Sequence, residues 1–345
     1  MILHVVFIVL AALAIWLFSH MLSQGTNAIG KHYRIAPSVR GATLDAVASS
    51  FPELCTVIFA LYAGAFDAGV GTVAGSALYN ILVIPAVSAL VGGPLKIEKL
   101  VIRRDGYLYV GVVLALIAAI WLGPEDQASG THRLSVWVGL GGIAIYLGYV
   151  VVLLLQARSG KKQPDAGQKT PPEGPEPPAK EAGGAQEQPA EAPVSPLRIG
   201  AYVLFGIAGI GAATHFLVES SLAVFHTIGL SEAIAGVTIL AAATSLPDTL
   251  LSVYAVRRGD ADGAVSNAFG SNSFDILICL GLPVLVTGGA AVNWQDSWPI
   301  LLFLFVSTMI SVRFLITDWT LTRKEAFVMA GVYVLFIVLA FMGLL

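Results

Sequence analysis

The sequence has few charged residues. Asp, Glu, Lys and Arg make up 12% of its 345 residues, about half of the roughly 25% that is typical of soluble domains. Hydrophobic residues make up 56%, and the mean hydropathy is +0.80. These values exclude an ordinary soluble domain and indicate a membrane protein. The formal net charge of −3 says little about partners.

Cysteine is scarce as well. Cys55 and Cys279 both lie in apolar segments, which favours two small buried side chains over a disulfide or a metal pair. No Lys or Arg precedes Lys31, so the chain does not begin with the basic region of a cleaved signal peptide. We therefore expect the first apolar segment to remain as a helix.

Apolar segments dominate the rest of the chain. A helix that spans a bilayer needs about 20 such residues, and ten candidates lie at about 2–22, 36–62, 70–92, 106–123, 134–156, 197–219, 231–256, 263–288, 298–316 and 325–344. Residues 157–196 hold nine of the 17 prolines and almost no large apolar side chain, which predicts a disordered linker. The predicted fold is an all-α membrane protein of ten transmembrane helices, with five in residues 1–156 and five in residues 197–345.

Basic residues are confined to one set of alternating loops. With the ten segments above, 18 of the 19 Lys and Arg residues fall on one side, and only Arg133 falls on the other. By the positive-inside rule, these loops and the linker are cytoplasmic and both termini are outside. The short linker and compact loops predict a prokaryotic cell membrane.

Two stretches of the chain repeat each other at a constant offset of 195 residues. Residues 41–82 correspond without a gap to residues 236–277. Identical pairs at this offset include Gly41/Gly236, Thr43/Thr238, Ser50/Ser245, Pro52/Pro247, Asp67/Asp262, Gly75/Gly270, Ser76/Ser271 and Ile81/Ile276. Because each half has an odd number of helices, the second copy enters the membrane from the opposite side. Such inverted repeats place the binding site of secondary transporters near the midplane, between the halves.

Each copy carries a carboxylate next to a proline inside an apolar segment, Glu53 after Pro52 and Asp248 after Pro247. An intramembrane carboxylate is costly and marks a functional site by default. Each proline lacks an N–H and should kink its helix, which frees carbonyl oxygens. The further candidate ligands are Ser49, Ser50, Thr244, Ser245, Ser76, Asn80, Ser271 and Asp275. All ligand atoms are oxygen, as Ca²⁺ prefers, and no histidine or thiol of the zinc type takes part. The glycines Gly71, Gly75 and Gly270 should let helices approach closely.

The two stretches resemble the α-repeats of the sodium/calcium exchangers, within the calcium/cation antiporter superfamily. The motifs Gly-Thr-Val-Ala-Gly-Ser-Ala-Leu-Tyr-Asn-Ile-Leu (71–82), Ser-Leu-Pro-Asp (245–248) and Gly-Ser-Asn-Ser-Phe-Asp-Ile (270–276) are most similar to the potassium-dependent branch. The resemblance implies that Glu53 and Asp248 are shared Ca²⁺ and Na⁺ ligands and that the hydroxyl groups serve flanking Na⁺ sites. It implies that Asn80 and Asp275 complete the centre, with Asp275 the candidate for a K⁺ requirement.

The sequence therefore predicts a secondary antiporter that exchanges Ca²⁺ for Na⁺, with K⁺ co-transport left open. Its partners are inorganic cations and the lipid bilayer, with no nucleic acid, no cofactor and no enzymatic activity. One alternative is a proton-driven exchanger, since a buried carboxylate can carry a proton. An intramembrane aspartyl protease, which needs two aspartates that share a proton, and a passive channel are more distant alternatives.

Overall fold

The protein is mostly helical. The structure is a computed structural model that describes residues 1–33, 44–127, 129–158, 195–257, 259 and 261–345. Uninterrupted α-helices are α1 (Ile2–His32), α2 (Ala46–Tyr62), α3 (Phe66–Gly92), α5 (Val136–Arg158), α6 (Pro196–Ile228), α9 (Trp294–Ile316) and α10 (Arg323–Phe341). Helices with an internal π-helical turn are α4 (Lys99–Val101, Ile102–Gly106, Tyr107–Trp121), α7 (Glu232–Ala235, Gly236–Leu240, Ala241–Arg257) and α8 (Ala261–Phe274, Asp275–Leu280, Gly281–Thr287).

A helix occurs at each of the ten predicted places. Among the described residues, seven helices, α1, α3, α5, α6, α8, α9 and α10, are long and apolar enough to cross a membrane, so the chain is a multi-pass membrane protein. Ten crossings stay a prediction. The predicted start of the second helix at residue 36 and most of the predicted linker, residues 159–194, lie outside the described residues.

Helices α1 and α6 are longer than the sequence predicts, ending at His32 and Ile228 rather than at residues 22 and 219. Their 31 and 33 residues correspond to about 46 and 50 Å at 1.5 Å per residue. The polar end of α1 continues as helix where it packs on α6: Gly25, Thr26 and Gly30 are buried, and a Cβ on Gly25 would lie 2.7 Å from Val203. The two helices pack along each other and are long enough to cross the bilayer at a tilt.

Five short strands were not expected from the sequence. Strands β1 (Leu95–Lys96) and β5 (Thr320–Leu321) pair antiparallel. Strands β2 (Glu125–Asp126), β3 (Thr131–Leu134) and β4 (Ala290–Asn293) form a second antiparallel sheet in that order. The strands lie in connections between helices, where they satisfy backbone groups that no helix can pair.

Helices α3 and α8 form the centre of the molecule. In the most apolar window of each, 78% and 72% of the residues are buried, against 17–44% in the other five candidate spans. Both helices carry repeat motifs, and α3 also packs against α2, α7, α9 and α10. Because the motifs sit on the most enclosed helices, their polar side chains are shielded from both water and lipid.

Equivalent residues in the two halves of the chain make the same kind of hydrogen bond. The carboxylate of Asp67, in the first turn of α3, accepts a hydrogen bond from the backbone N–H of Asn293 at 2.8 Å. The carboxylate of Asp262, in the first turn of α8, accepts one from the backbone N–H of Glu98 at 2.7 Å. Both donors and both acceptors are 195 residues apart, so the offset seen in the sequence is also an offset of tertiary contacts.

Candidate ion-binding site

The ten predicted ligand residues are all buried, none more than 5% exposed. They lie on four helices: Ser49, Ser50 and Glu53 on α2, Ser76 and Asn80 on α3, Thr244, Ser245 and Asp248 on α7, and Ser271 and Asp275 on α8. Burial of every member fits a site enclosed within the protein.

The spacing of the polar residues puts each set on one helix face. Each helix contributes a hydroxyl group four residues before an acid or amide: Ser49 and Glu53, Ser76 and Asn80, Thr244 and Asp248, and Ser271 and Asp275. Residues four apart are neighbours on a helix surface. Each helix therefore presents a hydroxyl group and an acid or amide on the same face.

Ser76 links three of the four helices through hydrogen bonds. The hydroxyl of Ser76 donates to Glu53 Oε1 at 3.3 Å and lies 2.8 Å from the hydroxyl of Ser245. These contacts bring α2, α3 and α7 together, so residues from both repeats meet at one place.

The three carboxylates are close enough to interact electrostatically. Glu53 interacts with both Asp275 and Asp248, and Thr244 of the other repeat faces Glu53. Ser49 and Asn80 are the polar neighbours of Asp248, although neither carboxylate oxygen of Asp248 has a hydrogen-bond partner of good geometry among the described residues. The carboxylate that follows the proline in each repeat, Glu53 or Asp248, therefore lies near a hydroxyl group of the other repeat.

Several oxygen atoms of the cluster lack hydrogen-bond partners within the described part of the chain. They are Glu53 Oε2, both Asp248 carboxylate oxygens, Asp275 Oδ2, Asn80 Oδ1, and the hydroxyl oxygens of Ser50 and Ser271. Buried polar atoms in proteins are nearly always paired, and exceptions point to a missing partner such as an ion. Unpaired oxygens on three neighbouring acids are a donor set suited to cations.

The acidic side chains alone do not build a closed metal site. Among the described residues, no three His, Cys, Asp or Glu side chains converge closely enough to hold one ion. Any cation here would need hydroxyl, amide or backbone oxygens as well, and Ca²⁺ takes about 6–8 oxygen ligands.

Both prolines of the motifs lie inside helices that continue past them. Pro52 is within α2 and Pro247 within α7. Neither can donate to the carbonyl four residues earlier, at Ala48 and Ala243. The expected loss of one helical hydrogen bond therefore occurs without breaking either helix.

The prediction of close helix approach is confirmed for Gly71 and Gly75, and among the described residues it is not met at Gly270. A Cβ on Gly75 would lie 2.5 Å from the carbonyl oxygen of Val237, and one on Gly71 would meet the carbonyl of Ala233. Gly270 has nothing within 4 Å among the described residues. Helix α3 thus packs tightly on α7, whereas no described residue packs in the same way against α8 at Gly270.

Sequence reasoning missed two residues in the cluster. Asn272, in the quoted Gly-Ser-Asn-Ser-Phe-Asp motif, accepts a hydrogen bond from Asn80. The thiol of Cys279 lies 3.6 Å from Asp275 Oδ1 and from the carbonyl oxygen of Ser50. Both cysteines are buried and free, as predicted. Asn272 could have been found from its place three residues before Asp275, whereas Cys279 carries no such signal.

Comparison with known proteins gives the family. A model described as "Sodium/calcium exchanger protein" matches residues 3–155 and 199–342. The chain belongs to this family. Its members are transporters and not enzymes, so the aspartyl protease is removed from the alternatives.

Two proteins with sequences similar to this chain carry different functional names. "Putative antiporter CaxA" from Alkalimonas amylolytica is 27% identical over 292 residues, which is 84% of this chain and 83% of that protein. "Sodium/potassium/calcium exchanger 2" from Homo sapiens is 36% identical over 149 residues, 39% of this chain and 22% of that protein.

Two solved structures share the fold. The sodium-calcium exchanger NCX_Mj has a TM-score of 0.59 at 20% identity and covers 97% of both chains. The H+/Ca2+ Exchanger CAX has a TM-score of 0.72 at 16% identity and covers 97% of this chain and 81% of that one. At these sequence identities the two structures show a shared fold and nothing more. The names of these two exchangers state different coupling ions, Na⁺ and H⁺.

Proposed function

We propose that the protein is an antiporter that exchanges Ca²⁺ for Na⁺ by alternating access. The observation that carries the proposal is the buried cluster of Glu53, Asp248 and Asp275, surrounded by hydroxyl groups from both repeats and rich in unpaired oxygen atoms. The ligands are the ten predicted residues, with the carboxylates shared between Ca²⁺ and Na⁺ and the hydroxyl groups completing the shells of Na⁺.

The negative charge of the three carboxylates explains how the exchange of Ca²⁺ and Na⁺ is coupled. Three neighbouring carboxylates in a low-dielectric interior are unfavourable unless cations compensate them. One Ca²⁺ or a set of Na⁺ ions can supply this compensation at the same oxygens, so the two ions compete. Only the occupied, compensated cluster passes readily between the inward- and outward-facing states. Coupled exchange follows, because the empty protein rarely makes the transition.

Ten membrane crossings in two inverted five-helix repeats provide the architecture for this exchange. The matched hydrogen bonds from Asp67 to Asn293 and from Asp262 to Glu98 support equivalent halves. The boundaries are residues 1–156 for the first half, 157–196 for the linker and 197–345 for the second half. Alternating access then consists of movement of one bundle against the other around a fixed midplane site.

The protein lies in the cell membrane with both termini outside and the linker cytoplasmic. The support is the distribution of basic residues in the alternating loops. Single cysteines introduced at residue 2 and at residue 170, in a variant with Cys55 and Cys279 replaced by Ala, test the orientation in intact cells. A membrane-impermeant maleimide should label the first and not the second; the reverse pattern would invert the topology.

A proton-driven Ca²⁺ exchanger is the second candidate. It is favoured by the unpaired oxygens on the buried carboxylates, because such groups can bind protons instead of metal ions. The many hydroxyl groups around each carboxylate favour Na⁺, since a proton needs no cage of oxygens.

Uptake of ⁴⁵Ca²⁺ into proteoliposomes loaded with Na⁺ separates the two candidates. Outside Na⁺, outside K⁺ and the pH on each side are varied independently, with protein-free liposomes as the control. We expect uptake to require the outward Na⁺ gradient and to persist when no pH gradient exists. Uptake that ignores Na⁺ and follows pH would assign the same carboxylates to proton exchange.

A further inference from the structure

Asn272 is enclosed at the crossing of α3 and α8 and makes two hydrogen bonds there. Its side chain is 0% exposed. It donates from Nδ2 to the carbonyl oxygen of Ala77 at 3.1 Å, and its Oδ1 accepts from Asn80 Nδ2 at 2.9 Å. Asn80, also 0% exposed, is one of the proposed ion ligands and a polar neighbour of Asp248.

These two bonds fix the orientation of both amides. A backbone carbonyl can only accept, so Asn272 must turn its NH₂ group toward Ala77. Its oxygen then faces Asn80, and Asn80 must turn its own NH₂ group toward Asn272. The oxygen of Asn80 is left over, buried and without a hydrogen-bond partner among the described residues. The carbonyl of Ala77 thus determines, through Asn272, which atom of Asn80 remains available to a cation.

The repeats differ at both side chains of this network, in which Asn272 links the carbonyl of Ala77 to Asn80. At the offset of 195 residues, Asn272 corresponds to Ala77, and Asn80 corresponds to Asp275. A carboxylate such as that of Asp275 offers an oxygen in either orientation and needs no orienting partner. An amide offers one oxygen and repels a cation with its other end. The orienting residue therefore occurs where the ligand is an amide, and its counterpart is an alanine where the ligand is an acid.

We infer that Asn272 is a positioning residue for ion binding, which holds the amide of Asn80 so that its carbonyl oxygen faces the transported cation. The inference rests on the proposed function, since it assumes that the cluster binds Ca²⁺. Asn272 itself need not touch the ion.

The test is Asn272→Ala, together with Asn272→Leu, which keeps the number of side-chain heavy atoms and loses both hydrogen bonds. Without its partner, Asn80 can rotate and present its NH₂ group to the ion. We expect the Ca²⁺ concentration for half-maximal uptake to rise by about 10- to 100-fold, the usual effect of losing a residue that orients a metal ligand. The maximal uptake rate should change much less. Equilibrium binding of ⁴⁵Ca²⁺ to the purified protein should weaken by the same factor.

A second background separates positioning from a general structural role. In Asn80→Asp the ligand carries two equivalent oxygens, so rotation no longer matters. Adding Asn272→Ala to Asn80→Asp should then cause no further loss of Ca²⁺ affinity. An equal loss in both backgrounds would overturn the inference, because it would mean that Asn272 acts on the fold and not on the amide of Asn80.

Ser273→Ala is the matched control. Ser273 is the next residue, 1% exposed, and its hydroxyl donates to the carbonyl of Phe269 in its own helix at 2.9 Å. Its removal should leave Ca²⁺ affinity unchanged. If the wild-type protein exchanges Ca²⁺ and both Asn272 variants bind it normally, the inference is wrong and the proposed function stands. If the wild-type protein neither binds nor exchanges Ca²⁺, the proposed function itself fails.

Discussion

The hydroxyl groups of Ser76 and Ser245 lie 2.8 Å apart, which joins the two repeats at the centre of the candidate site. Their counterparts at the offset of 195 residues are Ser271 and Ser50. The hydroxyl groups of these two are buried and lack a hydrogen-bond partner within the described residues. Equivalent residues thus make different contacts in the two repeats, so the candidate site is asymmetric in this structure.

The opposite-facing state should make the missing contact. If the halves are inverted repeats, exchanging their conformations converts one state into the other, so Ser50 should approach Ser271 as Ser76 separates from Ser245. We expect the pairs Ser76→Cys/Ser245→Cys and Ser50→Cys/Ser271→Cys, each with the native cysteines replaced by Ala, to form disulfides under opposite ion conditions. The measurement is the disulfide yield after oxidation in Na⁺ and in Ca²⁺, read by mass spectrometry. Yields that rise and fall together would contradict exchange of the two arrangements.

Glu53→Gln should abolish most exchange and leave a folded protein. The substitution keeps the size of the side chain but removes a charged ligand, and interactions with a charged group are worth about 1.5–3 kcal/mol. We expect ⁴⁵Ca²⁺ exchange to fall by about 10- to 100-fold, since 1.4 kcal/mol corresponds to tenfold. Size-exclusion profile and melting temperature should stay normal. Glu98→Gln is the control, because the side chain of Glu98 is exposed. Retained Ca²⁺ flux in Glu53→Gln would refute the site assignment.

Asp275→Asn should remove any stimulation of exchange by K⁺. Three ionised carboxylates and one Ca²⁺ leave one negative charge, which a monovalent cation can balance. With Asn at position 275 this charge is absent, so Ca²⁺ alone compensates the site. We expect K⁺ placed on the Ca²⁺ side to increase uptake in the wild-type protein and to have no effect in the variant. A K⁺ response that survives in Asp275→Asn, and equally in the exposed control Asp126→Asn, would assign the K⁺ effect to other residues.

Much of the site could be predicted because its residue types are costly in a membrane. Glu53, Asp248 and Asp275 stand out in apolar segments, and the constant offset links them to one another without any structure. The four-residue spacing within each helix then places the hydroxyl groups on the same faces. The structure buries all of these side chains together, as such costly groups require.

The rest depends on distances between elements that local sequence does not encode. Gly75 and Gly270 occupy equivalent positions in the two repeats, yet within the described part of the chain a helix packs against Gly75 and none against Gly270. The hydrogen bond from Asn272 to the carbonyl of Ala77 can be recognised only after α3 and α8 are placed side by side. The polar end of α1 resembles a loop in sequence, but packing against α6, where Gly25 meets Val203, lets it continue as helix.

The difference between Gly75 and Gly270 gives the final prediction. A Cβ at Gly75 would lie 2.5 Å from the carbonyl oxygen of Val237 and 2.7 Å from Ala241 Cβ. Because both contacts belong to α7, Gly75→Ala must force α3 and α7 apart. Overpacking of this kind costs about 1–3 kcal/mol, so the melting temperature should fall, and exchange should fall with it because Ser76 would move away from Ser245. In Gly270→Ala the new methyl group meets no described residue and helix propensity improves by about 0.5–1 kcal/mol, so this variant should melt at the same or a higher temperature. The two variants differ only in which repeat receives the methyl group. Equal destabilisation by both would mean that the two repeats pack alike, against the arrangement found for α3 and α8.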